Sequence, residues 1–396
     1  MGTCNRESPG PQCGFCNACY ACGAVWPIDC YNEDRLASGR QDSYDEFKWR
    51  MAGPLHGGTL MQSLEAESMD LEKFRFRGIH PDVFIGTASD RYAGWIGQIY
   101  SEGRYENRIT RRTKTFGDRS FVEEVLPVEC VGEYFDHFRV VELDFTFYRA
   151  LLEKDGKPTT NYRAIQSYRR HMKDGDSVIL KVPQSIFAQK RWQDGKYVEN
   201  DEYLNAESFT RQFYEPAVEV FGPLLSGFVF EQEYQRRQGR TPPAEMAASL
   251  DAFFGRIPRD DRYHVELRTE TLLAEPVFSV FRTHGIGQVL SHWTWLPPLR
   301  RQFSLAGQDF FNAGRQCIVR LMTPRGVRYE EAYARAHPFQ GIVDGMLDPQ
   351  MIEDAVELMR KALDRRVRIN VIINNRAGGN APLIARQLAE RFLQQG

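Results

Sequence analysis

A chain of 396 residues can bury a large core, and 42% hydrophobic, 26% charged and 12% aromatic residues describe an ordinary globular protein. A formal charge of -2 gives no global attraction to nucleic acid or an anionic membrane. No apolar run reaches the roughly eighteen residues that a transmembrane helix needs. The amino terminus, MGTCNRESPG, lacks the basic-then-apolar pattern of a signal peptide, so the expected compartment is the cytoplasm.

Six of the eight cysteines fall in the first thirty residues: Cys4, Cys13, Cys16, Cys19, Cys22 and Cys30. The run CGFCNACYACG spaces four of them by two residues each, which lets neighbouring thiolates point at one metal. Zinc ribbons use such pairs but separate them more widely. Successive C-x2-C steps are closer to iron–sulfur ligation, which is slightly favoured over zinc. Disulfides and free thiols are the competing readings. Residues 1–30 are therefore expected to form a cysteine-rich metal-binding head. Cys130 and Cys317 sit in apolar surroundings and read as small buried hydrophobes.

Residues 31–80 read as a polar connector with turn signals at Gly53-Pro54 and Gly57-Gly58, and a helix is expected around Leu60 to Lys73. From residue 81 to 396 apolar strands alternate with helical stretches. The strands are expected at 83–86, 140–147, 178–182, 227–230, 263–267, 288–291, 317–321 and 368–373. Helices are expected at 205–220, 243–256, 275–284, 348–365 and 381–395. Eight strands with helices after each is the count of a (β/α)8 TIM barrel. No glycine-rich dinucleotide fingerprint follows the first strand, which counts against a doubly wound sheet.

The stretch VVELDFTFYR, Val140 to Arg149, is the centre of the pattern. Read as one long strand, it puts Glu142, Asp144, Thr146 and Tyr148 on one face and Val141, Leu143, Phe145 and Phe147 on the other. A carboxylate on the inner face of a strand requires a partner or a solvated site.

The order of motifs from Val83 to Phe392 resembles the YecE-like family of domains of unknown function (family 72), which adopts a TIM barrel. Ile85-Gly86-Thr87 with Tyr92, Trp95, Gly97 and Tyr100 is similar to its opening strand and loop. Val141-Glu142 with Thr146-Phe147-Tyr148, then Lys181-Val182-Pro183, resemble its second and third strands. Gly222-Pro223-Leu224-Leu225 resembles the fourth junction, Glu266 with Arg268 an E-x-R strand, and Arg320 the arginine of the seventh. Asn374-Asn375 with Gly379, Ala381 and Pro382 is similar to the closing segment. The chain departs from the family pattern at Ala88, Ser89 and Asp90, at Asp144, at Phe187-Ala188 and at Arg376. The resemblance implies the barrel and no particular reaction.

Barrel active sites lie at the carboxyl ends of the strands. Asp90, Glu142, Asp144, Lys181, Glu231, Glu266, Arg268, His292, Arg320, Asn374 and Asn375 are expected there. Glu142 and Glu266 are the candidate acid/base pair, since repulsion raises one pKa while a cation holds the other ionised. Lys181 is the third candidate catalytic group, as a base, a Schiff-base amine or a phosphate contact. Arg268, Arg320, Asn374, Asn375, Asp144 and Tyr148 are the candidate substrate-binding residues, the guanidinium groups suiting a carboxylate or phosphate. A structural ion network is the competing role for Glu142, Lys181, Glu266 and Arg268. His292 reads as structural beside Trp293.

Arg104, Arg108, Arg111, Arg112 and Lys114 make the first loop basic, either as a solvated loop or as an anion-binding flap. The expected function is an enzyme acting on a small polar or phosphorylated substrate. The alternatives are a nucleic-acid-associated protein with a zinc head and a barrel scaffold without chemistry.

Overall fold

The structure, a computed structural model, describes residues 69–193 and 196–395. All eight expected strands form: β1 (Val83–Ala88), β4 (Val140–Leu143), β5 (Ser177–Lys181), β8 (Leu225–Glu231), β9 (Tyr263–Glu266), β10 (Gly287–His292), β11 (Gln316–Leu321) and β12 (Arg368–Ile373). They pair in parallel, in the order β1-β12-β11-β10-β9-β8-β5-β4, and β4 closes on β1. Two hairpins complete the strands, β2 (Thr110–Phe116) with β3 (Arg119–Val125) and β6 (Lys190–Gln193) with β7 (Lys196–Glu199). The protein is a TIM barrel.

Side chains alternate along each strand, so each supplies both a filling and a wall. Phe84, Val140, Ile179, Val229, Val289, Ile318 and Ile372 form the apolar plug inside the barrel. Outward residues such as Val141, Val178, Phe228, Val265 and Val371 pack under the surrounding helices. Close approaches need glycine at two places. A Cβ on Gly86 would lie 1.8 Å from the Val140 carbonyl oxygen, and one on Gly287 would lie 2.2 Å from the ring of His264.

Helices Pro243–Phe254, Glu275–His284, Pro349–Asp364 and Ala381–Gln394 lie where the periodicity places them. The expected helix over 205–220 is instead α, then a π turn at Thr210–Tyr214, then α again from Glu215 to Phe221. Pro216 explains the break, because it has no N–H to give to the carbonyl four residues earlier. That carbonyl, of Gln212, accepts the amides of Leu151 and Leu152 at 3.0 Å each.

The long strand expected over 140–147 is also shorter. β4 stops at Leu143, and Asp144–Phe147 form a 3-10 turn. The Thr146 hydroxyl donates to the carbonyls of Leu143 (2.9 Å) and Lys181 (2.7 Å), which ties the turn to β5. The alternation therefore holds as far as Glu142, while Asp144 and Tyr148 are placed by the turn.

Of the segment Leu60 to Lys73, where a helix is expected, only residues 69–73 are described, and they form a bridge and a turn rather than a helix. Asp70 and Arg75 bridge a turn there, and Phe76 packs on Phe138 with ring centroids 5.1 Å apart. Phe76 and Ile79 thus join the main core ahead of the first strand. The cysteines Cys4, Cys13, Cys16, Cys19, Cys22 and Cys30 lie outside the described residues. No described helix is long and apolar enough to cross a membrane.

The loop after β1 is anchored by Asp90, which is fully buried. Its carboxylate accepts from the Tyr168 hydroxyl at 2.7 Å and its carbonyl from Tyr100 at 2.5 Å. Burial pushes the carboxyl up from 3.8 to about 6, with Tyr168 opposing. The fold therefore prefers the protonated form, and this contribution fades as pH rises from the ordinary value through the raised one. Asp90→Asn stays neutral and keeps an acceptor for Tyr168. Its stability advantage over the parent should be near zero at about pH 4 and grow to roughly 3 kcal/mol above about pH 6. Urea unfolding across that range checks this, and a difference independent of pH would contradict it.

Candidate active site at the barrel mouth

Above the apolar plug, the next inward residues at the strand ends are charged. Lys181 ends β5, Glu231 ends β8 and Glu266 ends β9, while Glu142 and Arg320 stand one residue from the ends of β4 and β11. Arg320 lies among them. Its Nη2 donates to Glu142 Oε1 at 2.6 Å, its Nη1 to Glu266, and Glu231 stands 3.6 Å away. Arg268, just beyond β9, pairs with Glu231 at 2.7 Å and reaches Glu266 at 3.5 Å. Lys181 pairs with Glu231 and lies 4.1 Å from the centre of the Phe147 ring. Three carboxylates and three cations thus interlock, with formal charges that balance.

The two candidate acid/base carboxyls are displaced in opposite directions. Burial lifts Glu142 above the ordinary carboxylate range, against the pull of Arg320 and Lys181. Burial acts on Glu266 too, but Arg268, Arg320 and Lys181 overcome it and hold that carboxyl at about 2. Glu266 faces one more cation at close range, which explains the split. Glu142 Oε2 is buried and accepts no hydrogen bond from a described residue. Burial also opposes the charge of Arg320, yet its three carboxylates raise its pKa beyond the ordinary value.

A second layer lies over this cluster. Asp144 and Tyr148 come from the turn after β4, Tyr329 from the helix Tyr329–Ala336, and Arg376 from the turn after β12. Burial first, and then Tyr329, Asp144 and Glu231, push the Tyr148 phenol well above its ordinary range, while Arg376 acts in the opposite sense. Arg376 lies over the Tyr329 ring at 4.2 Å. Its Nε is buried without a hydrogen-bond partner, and neither Arg376 nor Asp144 enters an ion pair among the described residues.

The other expected site residues have different commitments. Asn374 caps the turn after β12 by accepting from the Arg376 amide at 3.0 Å. Asn375 accepts from the Trp95 indole at 3.1 Å and from the Ala381 amide at 2.8 Å, which joins the first loop to the last helix. His292 is buried, and burial lowers its pKa to about 4, so it is neutral at ordinary pH. Among the described residues no group of three His, Cys, Asp or Glu side chains is arranged to hold a metal ion.

The basic first loop leads into a hairpin, and five of its cations face glutamates. Arg111 and Arg112 pair across β2–β3 with Glu124 (2.8 Å) and Glu123 (2.9 Å), while Arg104 and Arg108 pair with Glu133 and Glu129. Lys114 is buried 4.5 Å from the Tyr333 ring, 3.5 Å from Glu123 and 3.3 Å from the Tyr329 hydroxyl. The arginines stay largely exposed, while the lysine docks the segment to the helix that bears Tyr329.

Several mouth residues escaped the sequence reading. Glu231 was placed at a strand end without a role, although the same end-of-strand logic applies to it as to Glu266. Arg376 follows β12 closely and could have been found by that logic. Tyr329 opens a helix, and nothing local marks it.

A barrel whose strand ends carry an interlocked acid and base cluster belongs to the broad class of TIM-barrel proteins with their candidate site at the carboxyl-terminal mouth. Residues 84–396 match the model of the family described as protein of unknown function DUF72, and the chain belongs to that family. Among solved structures it is similar to a DUF72 family protein from Thermotoga maritima, with 20% identity, a TM-score of 0.48, and coverage of 79% of this chain and 98% of that one. It is also similar to a DUF72 family protein from Enterococcus faecalis, with 16% identity, a TM-score of 0.47, and coverage of 79% and 95%. No curated protein matches the chain.

Removing one member of a buried ion cluster strands its partners, which costs more than the cluster contributes. Arg320→Met should therefore destabilise the protein by about 3–5 kcal/mol at neutral pH. The loss should shrink as acid protonates the released carboxylates. Denaturant unfolding at neutral and acidic pH reads this directly, and an unchanged midpoint would exclude the cluster as a stabilising constraint.

Proposed function

We propose that the protein is an enzyme that performs acid–base chemistry on a polar, anionic substrate at the barrel mouth. The observation that carries this reading is geometric: Glu142 and Glu266 flank the Arg320 guanidinium, and of these two only Glu266 has Arg268 close by. Glu142 Oε2 has no hydrogen-bond partner among the described residues, and this asymmetry displaces the two carboxyls in opposite directions. Two carboxyls pushed apart in this way suit the acid and the base of one reaction. Glu142, with its raised pKa and an unengaged oxygen, is the proton donor or acceptor. Glu266 stays ionised and, with Arg320, keeps Glu142 oriented. Lys181 and Arg268 line the rim of the cluster. Arg376, outside any ion pair among the described residues, supports an anionic substrate, because an unmatched guanidinium takes a carboxylate or phosphate bidentately. Asp144 and Tyr148 would contact its polar groups. The nucleic-acid reading keeps little support from the first hairpin, whose cations face glutamates of the same chain.

The test is turnover. With phosphorylated and carboxylated metabolites as substrates and product detection by mass spectrometry, at least one acid should be consumed. Glu142→Gln should lower kcat by about 10²–10⁴ while changing substrate affinity little. Full activity in Glu142→Gln would remove the assignment.

We further propose that Cys4, Cys13, Cys16, Cys19, Cys22 and Cys30 bind a metal, an iron–sulfur cluster in preference to zinc. The support is their spacing alone. Metal and sulfide analysis of protein purified without oxygen should find iron with sulfide and a visible absorption that dithionite bleaches. Stoichiometric zinc in a colourless protein would reverse the preference, and six free thiols would reject the site.

A further inference from the structure

Five large apolar side chains are exposed among the described residues: Met69, Val122, Tyr197, Trp295 and Leu393. Two lie near the ends of the described chain and two on the hairpins. Trp295 alone follows a barrel strand, three residues after β10. It remains 37% exposed although it stands beside a strongly charged mouth.

The indole is fixed in place. Tyr234, from the loop after β8, stacks on it with ring centroids 5.7 Å apart and planes inclined by 28°. Tyr234 also meets Trp293 at 6.0 Å, and Trp293 carries the Arg268 guanidinium at 4.9 Å. Trp293 in turn packs on the apolar plug inside the barrel. The loop itself is pinned to the one after β11, through Thr294 Oγ1 donating to the Val327 carbonyl (2.7 Å) and the Gly326 amide donating to the Thr294 carbonyl (3.0 Å). A continuous path therefore runs from solvent along Trp295, Tyr234, Trp293 and Arg268 to Glu231.

We propose that Trp295 is a stacking subsite for a sugar ring, and that the ligand of the mouth is an anionic sugar, either phosphate- or carboxylate-bearing. This rests on the anionic-substrate reading above and names its class. A sugar ring has an apolar C–H face and a hydroxylated rim. The face covers an exposed indole, and the rim meets carboxylates and guanidinium groups of the kind found here, which take hydroxyls and accept or donate in pairs. Tyr234 already occupies the indole on one side, so stacking is one-sided. That suits a ring with one apolar face better than a nucleobase, which gains most when both faces are covered.

The experiment is saturation-transfer NMR with calorimetry, using glucose 6-phosphate, ribose 5-phosphate, glucuronate, AMP and inorganic phosphate as probes. At least one anionic sugar should receive transfer at its ring protons and bind more tightly than inorganic phosphate. Trp295→Ala should weaken that sugar by about tenfold or more and leave inorganic phosphate unchanged, and Trp295→Phe should restore most of the affinity. The phosphate and glucuronate arms separate the two sources of negative charge. Ring-proton transfer that survives Trp295→Ala overturns the subsite, as does failure of every anionic sugar to exceed inorganic phosphate. Transfer confined to the adenine protons of AMP and lost in Trp295→Ala also overturns it, in favour of a base-stacking site. A sugar held by Trp295 but never turned over would sink the acid–base reading alone. Turnover of an anionic substrate indifferent to Trp295→Ala would sink the subsite alone.

Discussion

One guanidinium inside the barrel constrains much of the rest. Arg320 is 2% exposed and lies above an apolar plug, where an unpaired cation would carry a large desolvation cost. Glu142, Glu231 and Glu266 offset that cost; Lys181 and Arg268 add cations to Glu231, and Arg268 adds one to Glu266. The cluster thereby links the ends of five strands, β4, β5, β8, β9 and β11. These charges partner one another before any ligand arrives. The same arrangement makes the two outer carboxyls unequal, because Glu266 has Arg268 close by and Glu142 does not.

Around this centre the loops form two different walls. On one side, Tyr329 touches both Lys114 of the first hairpin and Arg376 of the last turn, so the hairpin, the helix after β11 and the end of β12 meet at one phenol. On the other side, Trp293, Trp295 and Tyr234 form an aromatic wall against Arg268. The mouth is therefore polar at its floor, cationic at Arg376 and apolar at Trp295. A ligand with distinct charged, hydroxylated and apolar portions suits such a surface.

The strands of the barrel were legible in the sequence because buried parallel strands read as short apolar runs. Glu142, Lys181, Glu266 and Arg320 were legible because a charge at the end of such a run has to face inward or into solvent. What misled was local pattern continued too far. VVELDFTF alternates like a strand of eight residues, yet Thr146 finds carbonyls of two strands and turns the chain after Leu143. The helix expected over 205–220 contains Pro216, and the carbonyl it leaves free is taken by amides distant in sequence. The hairpin charges looked like a cationic loop because Glu123, Glu124, Glu129 and Glu133, which neutralise them, lie in later stretches of the chain.

By itself the sequence determined the barrel class, the strand positions and the identity of most charged groups at the mouth. Those follow from hydrophobic periodicity and from the cost of burying an isolated charge, which are properties of short segments. Tertiary structure alone decided which charges pair, because Arg320 meets Glu142 across 178 positions and Glu266 across 54. It alone decided that Asn375 serves an indole and a helix end, that Arg376 stands outside any described ion pair, and that Trp295 faces solvent beside Tyr234. Pairing and exposure depend on how strands close into a ring, and ring closure brings together residues whose separation along the chain carries no local signal.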